Sequence, residues 1–506
     1  MKRILLIALM AVFPVMMMAE VKLPSILGSN MVLQRNTEVN LWGSAAEGKT
    51  VTVQTSWNGK TYKVKADNNG QWKLKVSTGE AGGPYTITIS DGKKLVLDNI
   101  LLGEVWICGG QSNMEMPVCG FMYQPVEGSS KAILYSATET PNVRMFTVPR
   151  KSNDVPRKSN DVPQTDCNSS WKVSCPESVC SFSAVGYFFG KALTQAMAGI
   201  PVGLISANWG GSRIECWMTE EVIDATEGIN HEIAKSGNSE TSAPAKLYNG
   251  LIHPIKDFTA KGFIWYQGCS NRHNWFDYKN LMVSLVKFWR NIWGDDKMPF
   301  YYTQLAPYTY EGDHLRSLPL VIEAQYKAMD EIPYSGIAST TDLGNRTCIH
   351  PSEKIQVGER LAYLALANDY GVKGVPRPAP RFKSMEIIKD ERRGNMLVMS
   401  FDNLSKMYEW NDPDSIMGYV KNGYVTPDGF EIAGADKVWH KARANYRWWE
   451  NRIEVWHSEV PEPVAVRYAF CNFPKDANVL TTMGQPLPPF RTDDWEIPAE
   501  EIGNIQ

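Results

Sequence analysis

The chain has no excess of charge of either sign. Its 52 basic and 55 acidic residues leave a net charge of −3. That balance excludes the dense positive field of a nucleic-acid groove or an acidic-membrane patch. No CxxC pair with a matching His or Cys pair occurs, so a zinc site of the usual spacing is not expected. No apolar run beyond residue 19 is long enough to span a bilayer, and no long apolar lid of the kind a lipase needs is present. The nine cysteines are an odd number, so at least one stays unpaired or pairs between chains.

What the sequence does contain begins with a leader. Lys2 and Arg3 precede an almost wholly apolar run, Ile4 to Met18, and Ala19 is a small residue at a plausible cut site. Residues 1–19 therefore read as a signal peptide, giving a periplasmic or secreted protein with no membrane span in its mature chain. No cysteine ends the leader, which argues against a lipid anchor. An oxidising compartment would permit a bridge among Cys167, Cys175 and Cys180.

A chain of 506 residues is expected to divide into two or three domains. Residues 20–98 alternate apolar and polar positions in short runs, such as Thr50–Thr55 and Tyr62–Ala66, separated by Asn58-Gly59, Asn68-Asn69-Gly70 and Gly82-Gly83-Pro84. Turns at this spacing predict a small β-sandwich. From 99 to 372 strand-like runs (101–108, 201–206, 262–266, 299–304, 336–341) alternate with helical stretches near 183–197, 276–293, 319–330 and 352–368. That alternation predicts βαβ units around a parallel sheet. Residues 380–506 return to β, as a third domain or as a segment packed back on the first. Arg150–Pro156 and Arg157–Pro163 are the same heptapeptide repeated, RKSNDVP; its charge and prolines fit an exposed loop without chemistry.

The chemistry sits at the strand ends. Gly109-Gly110-Gln111-Ser112 follows the first core strand, and paired glycines let the chain turn so that a serine stands at the carboxyl edge of the sheet. Gly210 and Gly211, in Trp209-Gly210-Gly211-Ser212-Arg213, offer bare N–H groups for a developing negative charge. Gln267 and Asn271 offer side-chain amides after the strand 262–266. Asp342 and then His350 follow the last strand; Pro351 suits a helix's first turn and places His350 near a helix N-terminus, which favours neutral imidazole.

In that order the blocks resemble the sialate O-acetylesterase family of the SGNH-hydrolase superfamily. The matching stretches are Gly103–Trp106 leading into Gly110–Met114, Trp209–Ser212, Trp265–Asn271 and Ile349–Pro351, with Met31–Gln34 and Pro489–Asp493 outside the core. The resemblance implies a three-layer α/β/α core with a parallel sheet, flanked by β-sandwich-like N- and C-terminal regions. It implies Ser112 as nucleophile, His350 as base, and an oxyanion hole from the N–H groups of Ser112, Gly210 and Gly211 with the Asn271 side chain. The implied reaction removes O-acetyl groups from sialic acid through an acetyl-serine, without metal or cofactor.

Two departures accompany the resemblance. Cys269 replaces the usual acid of the third block, and Thr347 and Cys348 stand where relatives carry an acid before the histidine. The imidazole is then steadied by a backbone carbonyl, or by Asp342 reaching in. A Cys269–Cys348 bridge is a further expectation. Gln111, Gln267, Arg213 and Trp209 are expected substrate contacts, with Arg213 or Arg272 clamping a sialate carboxylate. Trp217, Tyr266 and Trp275 are further candidates for a sugar pocket. Acetylated xylan is the competing substrate, and a carbohydrate-binding protein with an impaired catalytic core is the competing class.

Overall fold

The computed structural model describes residues 20–150, 160–376, 378–403, 419–420, 423–424, 426–447, 450–481 and 483–504. The expected leader 1–19 and residues 151–159 of the repeat lie outside them. Strands in the first region are β1 (Val32–Gln34), β2 (Glu38–Ser44), β3 (Thr50–Thr55), β4 (Thr61–Lys65), β5 (Gln71–Ser77) and β6 (Gly82–Ser90). β2 and β5 pair with each other, while β3, β4 and β6 form an antiparallel ladder that continues into β7 (Lys94–Gly110). β7 runs unbroken through the boundary expected at 98/99. Its first half pairs with β6 and its second half lies in the core sheet, so one strand rigidly joins the two regions.

The core strands follow as β8 (Val143–Thr147), β9 (Lys172–Val173), β10 (Val202–Asn208), β11 (Gly262–Tyr266), β12 (Phe300–Thr303) and β13 (Ser335–Ala338). Their order is β13-β12-β11-β7-β10-β8-β9, parallel throughout except at β9. Strands buried on both faces read as continuous apolar runs, which is why these were legible. β8 was not, because Arg144 interrupts its run; that guanidinium is buried against the Pro141 carbonyl.

Successive residues of a strand point to opposite faces. On β7, Cys108 faces the helix Ala184–Ala196 at Gly186, while Gly109 lies under Trp289 of the helix Trp275–Trp293. The helix Lys354–Asn368 packs beside the first and Ser317–Glu331 beside the second. This is the expected three-layer α/β/α sandwich with β-rich ends. Trp217, Trp265 and Trp289 meet edge to face with centroids 5.2, 5.4 and 6.3 Å apart, in the fully buried core. Trp217 is thus core and not pocket.

The C-terminal region contributes two four-stranded antiparallel sheets with their own core, including Leu397, Ile453, Val466 and Tyr468. It packs against the helix Ser317–Glu331. Leu320 packs with Phe470 and Ile497, and Arg316 reaches Glu431, Glu501 and the Phe470 carbonyl. The end blocks of the resemblance are structural. Gln34 bonds Glu104 and the Val105 N–H, both at 2.9 Å, and Arg491 reaches Glu323. Asp493 holds Arg467 with both side chains almost fully buried. Breaking such a pair from one side typically costs about 3–5 kcal/mol.

Candidate active site

The turn that carries Ser112 is built by close packing. β7 ends at Gly110 with φ +142°, and a Cβ there would stand 2.3 Å from the Tyr266 carbonyl oxygen, so only glycine fits. The Gln111 N–H then bonds that carbonyl at 3.0 Å, and Ser112 opens the short helix Ser112–Glu115. Ser112 is half-buried, and its hydroxyl bonds no described residue. Its N–H lies in a first turn, where no intrahelical acceptor exists.

The other side of the site is carried by the segment after β13. Asn113 Nδ2 donates to the Ile349 carbonyl at 3.0 Å, so the residue after Ser112 is tied to the residue before His350. His350 is half-buried, with Phe121 edge-on at 5.2 Å and its Nδ1 2.7 Å from Gln124 Oε1. Because an amide oxygen only accepts, Nδ1 carries the proton and Nε2 keeps its lone pair. Burial, then the nearby Lys354 charge, hold the imidazole well below its ordinary value, at about 4. The imidazole is therefore neutral at physiological pH. The adjoining helix begins at Lys354, not at Pro351, so burial rather than a helix terminus lowers the imidazole's basicity.

Several expected roles are corrected by the geometry. Asp342 does not reach His350; it forms a bidentate pair with Arg360, both bonds at 2.7 Å. The steadying acceptor is Gln124, neither Asp342 nor a backbone carbonyl. Asn271 is fully buried, and its Nδ2 donates to Glu215 at 2.9 Å and Asn274 at 3.1 Å, leaving no donor for an oxyanion. Gln267, also fully buried, bonds Ser212 O, Asn271 and Tyr278, so it serves the core rather than a substrate. Gly210 lies against Ser112, but its N–H donates to Glu115 Oε2 at 2.6 Å. Gly211, at φ +72°, keeps an N–H without an acceptor among the described residues.

Both expected carboxylate clamps are spent. Arg213 pairs with buried Glu215 at 2.7 Å and Arg272 with Glu311 at 2.6 Å. Tyr266 is fully buried, whereas Trp275 and Trp209 are partly exposed. Trp209 stays at the rim, under Arg150, whose guanidinium also pairs with Glu115. Gln111 accepts the Gly268 N–H at 2.9 Å through Oε1, and its Nε2 has no acceptor among the described residues. Beside these groups lies a cavity of about 250 Å³, lined by Glu115, Phe121, Arg150, Ser183 and Asn208 among others. A larger cleft of about 1030 Å³ is lined by Arg35, Glu104 and Asp257 among others, and the linings of both cavities lack the expected site residues, Ser112 and His350 included.

All nine cysteines are thiols, so neither the Cys269–Cys348 bridge nor one among Cys167, Cys175 and Cys180 is formed. The repeat is not wholly an exposed loop: Asn160 is buried and bonds Glu240 at 2.7 Å. Among the described residues, the one grouping able to present three ligand atoms to a cation is His440, His457 and Glu459. Its geometry is unfavourable, because His457 Nδ1 accepts the Glu459 N–H at 3.2 Å and the ring proton then sits on Nε2. No helix among the described residues is long and apolar enough to cross a membrane.

Gln124, Glu115 and Lys354 were not anticipated from sequence; each acts across a contact with no local signature. Asp342→Asn is expected to leave acetyl-ester turnover within about twofold of the parent while lowering the melting temperature, since it breaks the Arg360 pair and not the imidazole's support. Parallel rate assays and thermal melts check this.

Residues 102–367 match the family described as carbohydrate esterase, sialic acid-specific acetylesterase. The chain is 26% identical over 438 residues to the sialate O-acetylesterase of Mus musculus, covering 75% of this chain and 78% of that protein. To the Homo sapiens sialate O-acetylesterase it is 27% identical over 400 residues, covering 72% and 74%. It is also similar to the crystal structure of a carbohydrate acetylesterase from Xanthomonas citri, at TM-score 0.79 and 35% identity, covering 94% of this chain and 100% of that one.

Proposed function

The chain belongs to the carbohydrate-esterase family of sialic acid-specific acetylesterases, and from that premise we propose that it removes O-acetyl groups from sialic acid through an acetyl-serine. The observation that carries this reading is the neutral imidazole of His350, its Nδ1–H fixed on Gln124 so that Nε2 keeps its lone pair, on a segment tied to the Ser112 turn by the Asn113–Ile349 hydrogen bond. In the first step Ser112 Oγ attacks the acetyl carbonyl as His350 Nε2 takes its proton. The tetrahedral oxyanion is held by the N–H of Ser112, with the Gly211 N–H as the second donor. The C–O bond to the sugar breaks, and the sugar oxygen takes the proton from His350. Water, deprotonated by the same Nε2, then releases acetate and restores the serine. Each oxyanion donor of this kind typically contributes about 3 kcal/mol. The basic start and apolar run of residues 1–19 support an exported enzyme in this reading.

Acetylated xylan or another neutral glycan is the second reading, favoured by one observation: Arg213 and Arg272 are both committed to carboxylates within the protein. Acetate release from O-acetylated sialic acid and from acetylated xylan, measured side by side with a Ser112→Ala control, separates them. Faster release from the sialate supports the first reading. Preference for xylan replaces the substrate and leaves the mechanism standing.

A further inference from the structure

Lys354 opens the helix Lys354–Asn368 and is fully buried. A buried ammonium loses its hydration, and at a helix N-terminus the dipole opposes it as well. No carboxylate of the described residues forms an ion pair with it. A residue so placed at such cost is not there for packing, which methionine or leucine would do better. Its Nζ donates to Asn113 Oδ1 at 2.6 Å. Asn113 is itself buried, and its Nδ2 donates to the Ile349 carbonyl at 3.0 Å. The Tyr266 ring lies 5.9 Å from the ammonium. One chain of hydrogen bonds therefore runs from the lysine, through the residue after Ser112, to the residue before His350.

We propose that Lys354 is a positioning residue, fixing the orientation of the Asn113 amide so that this amide holds the His350 segment against the Ser112 turn. This rests on the serine-esterase reading above. An ammonium only donates, so it selects the oxygen end of the amide; the nitrogen end is left to face the Ile349 carbonyl. A flipped amide would set its NH₂ against the ammonium and its oxygen against the carbonyl oxygen. The titratable groups facing the lysine are Cys269, Cys348 and Glu353, which favour its charge, and His350, whose protonation its charge opposes. Burial pushes the lysine itself down to about 7.

The test is the pH dependence of kcat and KM for p-nitrophenyl acetate in the full chain, its Lys354→Met and Asn113→Asp variants, and Ser112→Ala, each with a thermal melt. Lys354→Met should lower kcat about tenfold with KM little changed. It should also move the acid limb of kcat/KM to higher pH, because a positive charge beside the imidazole is gone. That shift reports the loss of the charge; the fall in kcat at unchanged KM and unchanged melting temperature, shared with Asn113→Asp, is what a merely structural role would not produce. Asn113→Asp keeps an acceptor for Lys354 but offers the Ile349 carbonyl no donor, and should show the same fall in kcat. A Lys354→Met profile superimposable on the parent overturns the proposal. If that variant does not fold, an unchanged kcat in Asn113→Asp does so instead. Turnover that persists in Ser112→Ala would instead strike the esterase reading, so the two failures are distinguishable.

Discussion

Ser112→Ala should abolish acetyl-ester hydrolysis, by about 10⁴-fold or more, while leaving the thermal transition in place. The two halves of this expectation have separate causes. The Ser112 hydroxyl bonds no described residue and is half exposed, so its loss removes nothing the fold depends on. The covalent route, by contrast, has no other oxygen at that point of the turn. The neighbouring carboxylate, Glu115, is engaged by the Gly210 N–H and by Arg150. Rates with p-nitrophenyl acetate and a melting curve on the same preparation check both halves.

Gln124 carries the second large effect. An imidazole freed at Nδ1 rotates, and populates the tautomer whose Nε2 holds a proton and cannot act as a base. Loss of the correct tautomer in such sites costs up to about 10⁴-fold. Gln124→Ala is therefore expected to lower kcat by about 10²–10³-fold with KM changed far less. Gln124→Glu tests the electrostatics. In the parent, burial and Lys354 hold His350 at about 4, so kcat/KM should fall as acid protonates the imidazole near pH 4, well below the region near pH 7 where Lys354 loses its charge. A carboxylate at position 124 favours imidazolium, so that limb should move to higher pH. Limbs that coincide in the two proteins would mean Gln124 does not contact the catalytic base in solution.

Much of the core was legible because a parallel sheet writes itself plainly. Four of the five strands expected between residues 99 and 372, and the four helices, stand within a few residues of their expected places, while the first strand begins seven residues early, at Lys94. The missed strand, Val143–Thr147, hides its apolar pattern behind Arg144, a cation buried by a backbone carbonyl that no periodicity announces. The blocks Ser112 and His350 were legible as strand-end residues. What was not legible is which polar side chains face the cavity and which face inward. Asn271, Gln267 and Arg213 have the right chemistry for a site, yet Glu215, Ser212 and Tyr278 draw them into one buried network. Conversely Gln124 lies 226 positions from the imidazole it holds, on an irregular loop. Nothing in the local sequence marks Lys354 as buried. Long-range polar contacts of this kind depend on how two loops are set against each other, and local pattern carries no record of that.

The most direct test of the account is to quench turnover of a p-nitrophenyl or sugar acetate with acid and weigh the peptide that contains Ser112. A single acetyl group on Ser112, formed in the pre-steady-state burst and absent from the Ser112→Ala protein, is the predicted result. Full turnover with no acetyl on that peptide and no burst would contradict a route through an acyl-serine.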